Sequence, residues 1–226
     1  MTTERPPRRP PRGLAQHLLR WPRLVHLYET PLWRRSPFLA RANGISLRNE
    51  LASIGAAAEI DRARSVLDLG CGTGITSRPF AAQMPKGRVV GLDVLPTMLH
   101  YARRKARRVK LPNLAFVCAT AEDLPFASES FDVVNCCGAL HNFDDLERAL
   151  AGIVRVLRPG GRFTVATYRK DAGRRFEGFL RRIRANSFSV PDLADRFAHA
   201  GLADFACLHE GPSWIVAVAR KPSTSA

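Results

Sequence analysis

The sequence predicts an α/β fold built on a mostly parallel sheet. Five short apolar runs follow residue 64 and alternate with amphipathic stretches of helical periodicity. Such alternation is typical of right-handed β–α–β crossovers, which place parallel strands in one sheet. Two further apolar runs are separated by a turn at Gly211 and Pro212. They predict a hairpin that closes the sheet with an antiparallel strand.

The same patterns give the expected bounds of each element. The predicted strands are residues 66–69, 88–93, 114–118, 131–136, 162–167, 203–209 and 214–220. The predicted helices are residues 75–83, 96–108, 146–157 and 191–200, preceded by helical regions at 14–28 and 37–60. We therefore expect four segments: a disordered Pro/Arg-rich tail at 1–13, an N-terminal helical cap at 14–60, a sheet domain at 61–220 and a tail at 221–226.

Composition excludes several classes of protein. The 226 residues are 46% hydrophobic, yet they contain no apolar run of membrane-spanning length and no secretory signal. The five cysteines include no Cys-x-x-Cys pair, so we expect reduced thiols, no metal site and a cytoplasmic location. The net charge of +15 predicts attraction to nucleic acid, anionic lipid or an acidic substrate, although charge runs are more typical of solvated faces.

The most specific motif is VLDLGCGTG at 66–74, in which an apolar strand ends in Asp68 and a Gly-x-Gly-x-Gly turn follows. Glycines let the backbone turn tightly and approach a ligand closely. A dinucleotide site prefers Gly-x-Gly-x-x-Gly, and Asp68 would repel a pyrophosphate. An acid at this position suits a cationic ligand, such as the amino group and sulfonium of S-adenosylmethionine.

The next strand ends in Asp93, within VVGLDVLPTML at 89–99. A carboxylate at the end of a second strand can accept hydrogen bonds from ribose hydroxyls. The structural alternative for Asp93 is a helix N-cap for the stretch that begins at Pro96. Because Asp93 follows the glycine motif in order, we favour the ribose role.

Further motifs follow in a fixed order: AEDLPF at 121–126, SFDVV at 130–134, GALHNF at 138–143 and LRPGG at 157–161. With the two preceding motifs, they make residues 65–167 resemble class I S-adenosylmethionine-dependent methyltransferases. The resemblance is to the branch that includes ubiquinone/menaquinone C-methyltransferases and the type 11 small-molecule group. It implies a Rossmann-like three-layer sandwich with a seven-stranded, mostly parallel sheet, an antiparallel C-terminal strand and an N-terminal helical cap.

The resemblance also implies a cofactor, S-adenosyl-L-methionine, and the residues that bind it. The methionine end would be held by Asp68, Gly70, Cys71, Gly72, Thr73, Gly74 and Cys137. Asp93 would bind the ribose diol, and Val94 or Met98 would pack on the adenine. Thr120 and Ala121 would line the adenine edge. This chain has Thr120 where the family often has an acid, so Glu122 or Asp123 is the candidate to compensate.

His141 is the candidate catalytic base, because it follows the fourth strand and its intrinsic pKa suits neutral pH. The alternatives are a structural histidine beside the cofactor or a cap for the helix near Asp144. Segments 14–60 and 168–190 would roof the acceptor pocket. They offer the apolar side chains Trp21, Tyr28, Trp33, Phe38, Phe176, Phe179, Leu180 and Phe188, which favour a small, largely apolar acceptor.

Three other functions compete with methyl transfer to a small molecule. Nucleic-acid methylation is suggested by the charge, but no Asn/Asp-Pro-Pro-aromatic motif follows the fourth strand, so nucleic acid is not the expected partner. A non-catalytic cofactor-binding module and a nicotinamide-dependent oxidoreductase are the others. The segment at 174–184 alternates arginines with apolar residues. It is either a basic lid that contacts an anionic membrane or a solvated helix, the interpretation that we favour.

Overall fold

A computed structural model of the chain describes residues 25–26, 29–30 and 36–223. Its centre is one seven-stranded sheet in the order β3-β2-β1-β4-β5-β7-β6. The strands are β1 (Ser65–Leu69), β2 (Arg88–Asp93), β3 (Leu114–Cys118), β4 (Phe131–Cys137), β5 (Leu157–Tyr168), β6 (Ala203–Glu210) and β7 (Trp214–Arg220). Strands β1 to β5 pair in parallel, while β7 runs antiparallel to both β5 and β6. The predicted fold class is confirmed.

Helices connect these strands. They are α1 (Pro37–Asn43), α2 (Leu47–Ala57), α3 (Ser77–Gln83), α4 (Pro96–Arg108), α5 (Leu146–Val156), α6 (Arg174–Ile183) and α7 (Val190–His199), with a short 3₁₀ helix at Leu140–Asn142. Within the described ranges, no helix combines the length and the apolar character needed to cross a bilayer.

The sheet is buried on both faces. Alternate residues of β1 belong to different clusters: Leu67 packs with α5 and α7, and Val66 packs with α2 and α3. Side chains of a strand alternate between faces, so the two clusters are the two sides of a three-layer sandwich. This is why the five residues of β1 are all buried, and Ser65 and Asp68 are its polar residues.

The predicted helical region 37–60 consists of two helices. Gly44 ends α1 with a left-handed backbone (φ 72°), and the Ser46 side chain caps α2 by accepting from the Asn49 N–H. A C-terminal glycine followed by a serine N-cap favours this break. The other predicted helix, 14–28, lies outside the described residues except for Val25 and His26, and the tail at 1–13 lies wholly outside them.

The structure also differs from the sequence pattern in β5 and β6, on the side of the sheet away from β3. Strand β5 begins at Leu157, which pairs with Phe131 of β4, and the backbone of Gly160 and Gly161 pairs with Lys221 just beyond β7. Cys207 lies in the predicted apolar run 203–209, but it is exposed because β6 is an edge strand.

Candidate functional site

The site predicted from the motifs lies where the strand order reverses. Strand β1 has β2 on one side and β4 on the other, so the connections leave in opposite directions. In open α/β sheets, ligands bind at the carboxyl ends of the strands beside such a switch point. The structure brings the predicted residues to this one edge. They occupy the ends of β1, β2 and β4 or the segments that follow β1 to β4, with Met98 in the first turn of α4.

The glycine turn after β1 is tight and closely packed. Gly70, Gly72 and Gly74 all have positive φ, at 67°, 53° and 74°. A Cβ on Gly70 would overlap the methyl group of Ala139, which follows β4. Only glycine therefore permits the contact between the two loops that border the switch point.

Several backbone amides of this turn are already hydrogen-bonded within the protein. The Cys71 N–H donates to the Leu92 carbonyl, and the Gly74 N–H donates to the Cys71 carbonyl. The Gly72 N–H donates to Asp93 Oδ2 at 2.8 Å. The turn is held from within and by β2, so it presents a preformed surface rather than a row of unused donors.

Asp93 joins the glycine turn to the start of α4. Its Oδ1 accepts from the Leu95 N–H at 2.9 Å, while Oδ2 accepts from Gly72. Burial raises the pKa of Asp93, and these backbone donors oppose the shift. The alternative role as N-cap does not hold, because Leu95 occupies that position and α4 has no side-chain cap.

Asp68 is enclosed beneath the turn. Ser77 Oγ donates to Asp68 Oδ2 at 2.5 Å, and Asn135 Nδ2 donates to Oδ1 at 2.7 Å. Thr164 Oγ1 donates in turn to Asn135 Oδ1. Burial raises the pKa of Asp68 to about 6, partly offset by its hydrogen bonds and increased by the nearby charge of Asp93. Asp68 therefore links β1, β4 and α3, and its charge is sensitive to what lies beside it.

Sequence patterns gave no signal for the contact that Arg78 makes with the glycine turn. Arg78 Nη1 donates to the Thr73 carbonyl at 2.6 Å, and Nη2 donates to both carboxylate oxygens of Glu29, at 2.8 and 2.9 Å. The Thr73 hydroxyl is buried and has no hydrogen-bond partner within the described residues. The turn therefore retains a hydrogen-bonding group that a bound molecule can satisfy.

Apolar side chains cover the expected adenine end. Met98, Leu95 and Tyr101 form a buried cluster with Val25 of the N-terminal segment, and Val94 packs against it. The N-terminal residues thus reach the start of α4, next to Asp93. A site for a flat apolar ring between these residues and the glycine turn is consistent with this cover.

The loop after β3 holds the other predicted adenine residues. The Thr120 hydroxyl donates to Glu122 Oε2, and Glu122 Oε1 accepts from the Asp144 N–H. The side chain of Ala121 is buried in the main core, so only its backbone is available to a ligand. Glu122 thus brings an acid beside Thr120, as the compensation hypothesis requires.

The two predicted cysteines face different surroundings. Cys71 packs into a cluster with Leu99 and Phe116 beneath α4, so its thiol lies in the protein core. The Cys137 thiol donates to Glu50 Oε1 at 2.8 Å. Glu50 belongs to α2 and is 1% exposed. We did not predict this buried acid, because 87 residues separate it from Cys137.

His141 lies in the 3₁₀ helix after β4 and is buried. Its Nδ1 is 3.4 Å from Thr167 Oγ1, and its ring stacks on Tyr168 with centroids 4.1 Å apart. Tyr168 also contacts Trp214 and Phe176 edge-on, at 5.2 and 5.4 Å. The proposed capping role does not hold, because Asp145 is the N-cap of α5.

The remaining predicted pocket residues divide into three groups. Leu180 and Phe188 are buried, while Phe38 and Phe179 are exposed. Trp21, Tyr28 and Trp33 lie outside the described residues. Among the described side chains, no three His, Cys, Asp or Glu groups converge as metal ligands do.

These residues fit a cationic sulfur nucleoside better than a pyrophosphate. Two buried carboxylates border the glycine turn, and an unsatisfied hydroxyl lies within it. A pyrophosphate would meet both carboxylates, whereas a sulfonium and an ammonium group would be attracted to them. The fold is Rossmann-like, and the fold and the site together resemble those of class I S-adenosylmethionine-dependent methyltransferases.

Comparison with known proteins agrees with this resemblance. A family model described as a methyltransferase domain matches residues 67–165. The matched part runs from β1 into β5 and includes the glycine turn, Asp93 and His141.

The chain is similar to a ubiquinone/menaquinone biosynthesis C-methyltransferase of Enterobacter sp. (36% identical over 145 residues, 63% of this chain and 57% of that protein). It is also similar to a demethylmenaquinone methyltransferase of Thermus thermophilus (41% identical over 105 residues, 46% of this chain and 47% of that protein). The chain therefore spans about half the length of these curated relatives.

Solved structures confirm the fold. The YcgJ protein of Bacillus subtilis superposes with a TM-score of 0.67 at 21% identity, over 78% of this chain and 99% of that one. A Thermotoga maritima S-adenosylmethionine-dependent methyltransferase superposes with a TM-score of 0.67 at 24% identity, over 89% of this chain and 98% of that one.

Proposed function

We propose that this protein transfers a methyl group from S-adenosylmethionine to a small, largely apolar acceptor with quinone-like chemistry. The observation on which this proposal depends is the glycine turn at the switch point, bordered by the buried carboxylates Asp68 and Asp93. The similarity to quinone C-methyltransferases supports the acceptor class. The aromatic side chains around His141 support it as well, because a flat ring packs well against such surfaces.

The cofactor supplies the reactive methyl group on a sulfonium, which leaves alignment and exclusion of water to the protein. Asp68, the turn at 70–74 and Cys137 hold its methionine end in this proposal. Asp93 accepts from the ribose hydroxyls through lone pairs that Gly72 and Leu95 do not use. Val94 and Met98 pack on the adenine, whose edge meets Thr120, Ala121 and Glu122.

His141 is the proposed base for an acceptor that must lose a proton. Thr167 beside Nδ1 and the stacked ring of Tyr168 restrict the orientation of the imidazole. A fixed ring at the end of β4 lies on the side of the switch point opposite β2 and Asp93. The histidine would therefore face an acceptor rather than the adenosine half of the cofactor.

One observation disfavours methylation of a nucleic-acid base. The Asn135 side chain, at the position from which β4 would hold a flipped base, is committed to Asp68 and Thr164. It is therefore occupied in the core of the site. Binding of a small acceptor does not need this group.

The test begins with calorimetry. We expect S-adenosylhomocysteine to bind and NAD to give no signal. Radiolabelled methyl transfer is then measured to a reduced, short-chain demethylmenaquinone and, separately, to tRNA. We expect His141→Gln to lower kcat roughly 100-fold or more without changing cofactor affinity. The control is His199→Gln, at an exposed residue at the end of α7, which should leave kcat unchanged.

Three results would contradict parts of this proposal. If calorimetry detects binding of NAD but not of S-adenosylhomocysteine, the cofactor assignment is wrong. Transfer to tRNA but not to the quinol replaces the acceptor class. An unchanged kcat in His141→Gln, or a loss explained by weaker cofactor binding, removes the base role.

A further inference from the structure

Helix α6 connects the candidate site to the protein surface. It follows β5 and therefore lies at the carboxyl edge of the sheet. Leu180 is buried on its inner side, and Phe176 contacts Tyr168 edge-on at 5.4 Å. Phe176 in turn lies 6.4 Å from Phe179, measured between ring centroids. An aromatic path therefore runs from the ring stacked on His141 to the outside.

The outer side of α6 combines an aromatic side chain with positive charge. Phe179 is 48% exposed. The exposed basic residues near it are Arg174, Arg181, Arg182 and Arg184. Within the described part of the chain, no carboxylate lies at salt-bridge distance from these four arginines. Glu177 is the acidic residue of this helix.

Helix α1 adds to the same edge. Ser213 Oγ donates to the Ala42 carbonyl at 2.8 Å, which fixes α1 to the turn before β7. That turn lies at the carboxyl edge, because Trp214 pairs with Tyr168 at the end of β5. Phe38 on α1 is 78% exposed, and Arg41 is exposed as well.

We propose that this rim, formed by α6 and α1, docks on an anionic lipid surface. Phe179 and Phe38 would enter the headgroup region, and the arginines would meet lipid phosphates. Basic residues beside exposed aromatics are the composition of interfacial helices. The aromatic path to His141 favours lipid over nucleic acid, since a lipid-soluble molecule has use for an apolar route. The choice of lipid as the partner thus rests on the proposed apolar acceptor, whereas binding to a lipid surface can be measured without methyl transfer.

The test is co-sedimentation of the full chain with vesicles of equal parts phosphatidylcholine and phosphatidylglycerol. We expect binding to these vesicles and little to pure phosphatidylcholine. Arg181→Glu/Arg182→Glu should reduce partitioning about tenfold or more, since each basic residue near such a surface contributes strongly. Phe179→Ser should reduce partitioning several-fold, as expected for the loss of a ring in the interface.

A matched control carries the same change of charge elsewhere. Arg107 and Arg108 are exposed at the end of α4, near the amino edge of the sheet and thus away from the rim. Arg107→Glu/Arg108→Glu should change partitioning by no more than about twofold, because salt screens the attraction between the lipid surface and charges that lie far from it. S-adenosylhomocysteine affinity, measured on every variant, verifies the fold independently of lipid.

Several outcomes overturn the proposal. Equal losses in the two double variants would mean that the general positive charge, and not this rim, binds the vesicles. Absence of vesicle binding by the unaltered chain would remove the lipid surface as partner. Tighter binding to tRNA, weakened by the rim variants alone, would assign the rim to nucleic acid.

Discussion

The Arg78 guanidinium forms a two-oxygen ion pair with Glu29, at 2.8 and 2.9 Å, while its other nitrogen donates to the carbonyl of Thr73. The side chains are only 13% and 8% exposed. Lys105 lies 4.0 Å from the same carboxylate. One arginine thus ties the glycine turn to the N-terminal segment, whose Val25 covers Met98 and Tyr101 at the start of α4.

Glu29→Gln should therefore weaken cofactor retention. The substitution keeps the shape but removes the charge that holds Arg78, so the N-terminal cover opens more readily. We expect S-adenosylhomocysteine to dissociate roughly tenfold faster, a loss typical of one charge-assisted contact. Stopped-flow displacement measures the rate. The control is Glu59→Gln. Glu59 precedes β1 and forms an ion pair with Arg162 of β5, with 2.5 Å between the nitrogen and the oxygen. Equal dissociation rates in the two variants would refute a role for the Glu29 pair.

Cofactor affinity should depend on pH through Asp68. Its pKa is raised to about 6 by burial, so the ionised form that attracts an ammonium group is lost as pH falls through this value. Affinity should be constant above about pH 7 and roughly tenfold lower at about pH 5, with proton release on binding. Calorimetry across this range measures both. Asp68→Asn should flatten the profile; a slope that persists in this variant would assign the titration to another group.

Asp93→Ala should weaken cofactor binding by about 2–5 kcal/mol, because it removes charge-assisted bonds to the ribose and releases the Gly72 N–H. Asp93→Asn, which keeps one accepting oxygen, should lose less. Affinity for S-adenosylhomocysteine is the measurement.

Asp132→Asn is the matched control for Asp93. Asp132 accepts from the backbone of Arg64 and Ser65 at the opposite edge of the sheet. Burial tends to raise the pKa of Asp132, but bonds from Arg158, Arg64 and Ser65 outweigh it and lower the value. Its contribution to stability is therefore present above the unfolded pKa and is lost as pH falls. Asp132→Asn should lower the melting temperature at neutral pH and leave cofactor affinity unchanged. A loss of cofactor affinity without a change in melting temperature would contradict the roles given to Asp132 and Asp93.

Gly70→Ala should destabilise the fold by about 1–3 kcal/mol, since the new methyl overlaps Ala139 and the backbone is left-handed. Adding Ala139→Gly should restore the part of the free energy of unfolding that the overlap removed. The loss caused by backbone strain at residue 70 should remain. Chemical denaturation measures both. Gly178→Ala, on a helix with open space around the site, should be neutral or slightly stabilising. A double variant no more stable than Gly70→Ala would show that the overlap is not the cause.

Local patterns predicted most of the element types. The apolar runs of β1 to β4 and the amphipathic stretch of α4 were located to within a residue, because burial on two faces or one face imposes a sequence period. The break at Gly44 and Ser46 had a local signal in a glycine two residues before a serine, which the helical pattern on either side obscured. The extended start of β5 had no local signal, because it depends on pairing with Phe131 of β4 and with Lys221, both distant in the chain.

The fold class was predictable from the sequence alone: a glycine turn, two acids at strand ends and the later motifs, in that order, predict the fold and its switch point. Tertiary structure alone decided which groups serve those motifs. Asn135 meets Asp68 across 67 residues, Glu50 meets Cys137 across 87 and Glu29 meets Arg78 across 49. These contacts form because whole layers of the fold pack against one another. The local periodicity of a sequence does not specify contacts between elements so distant in the chain.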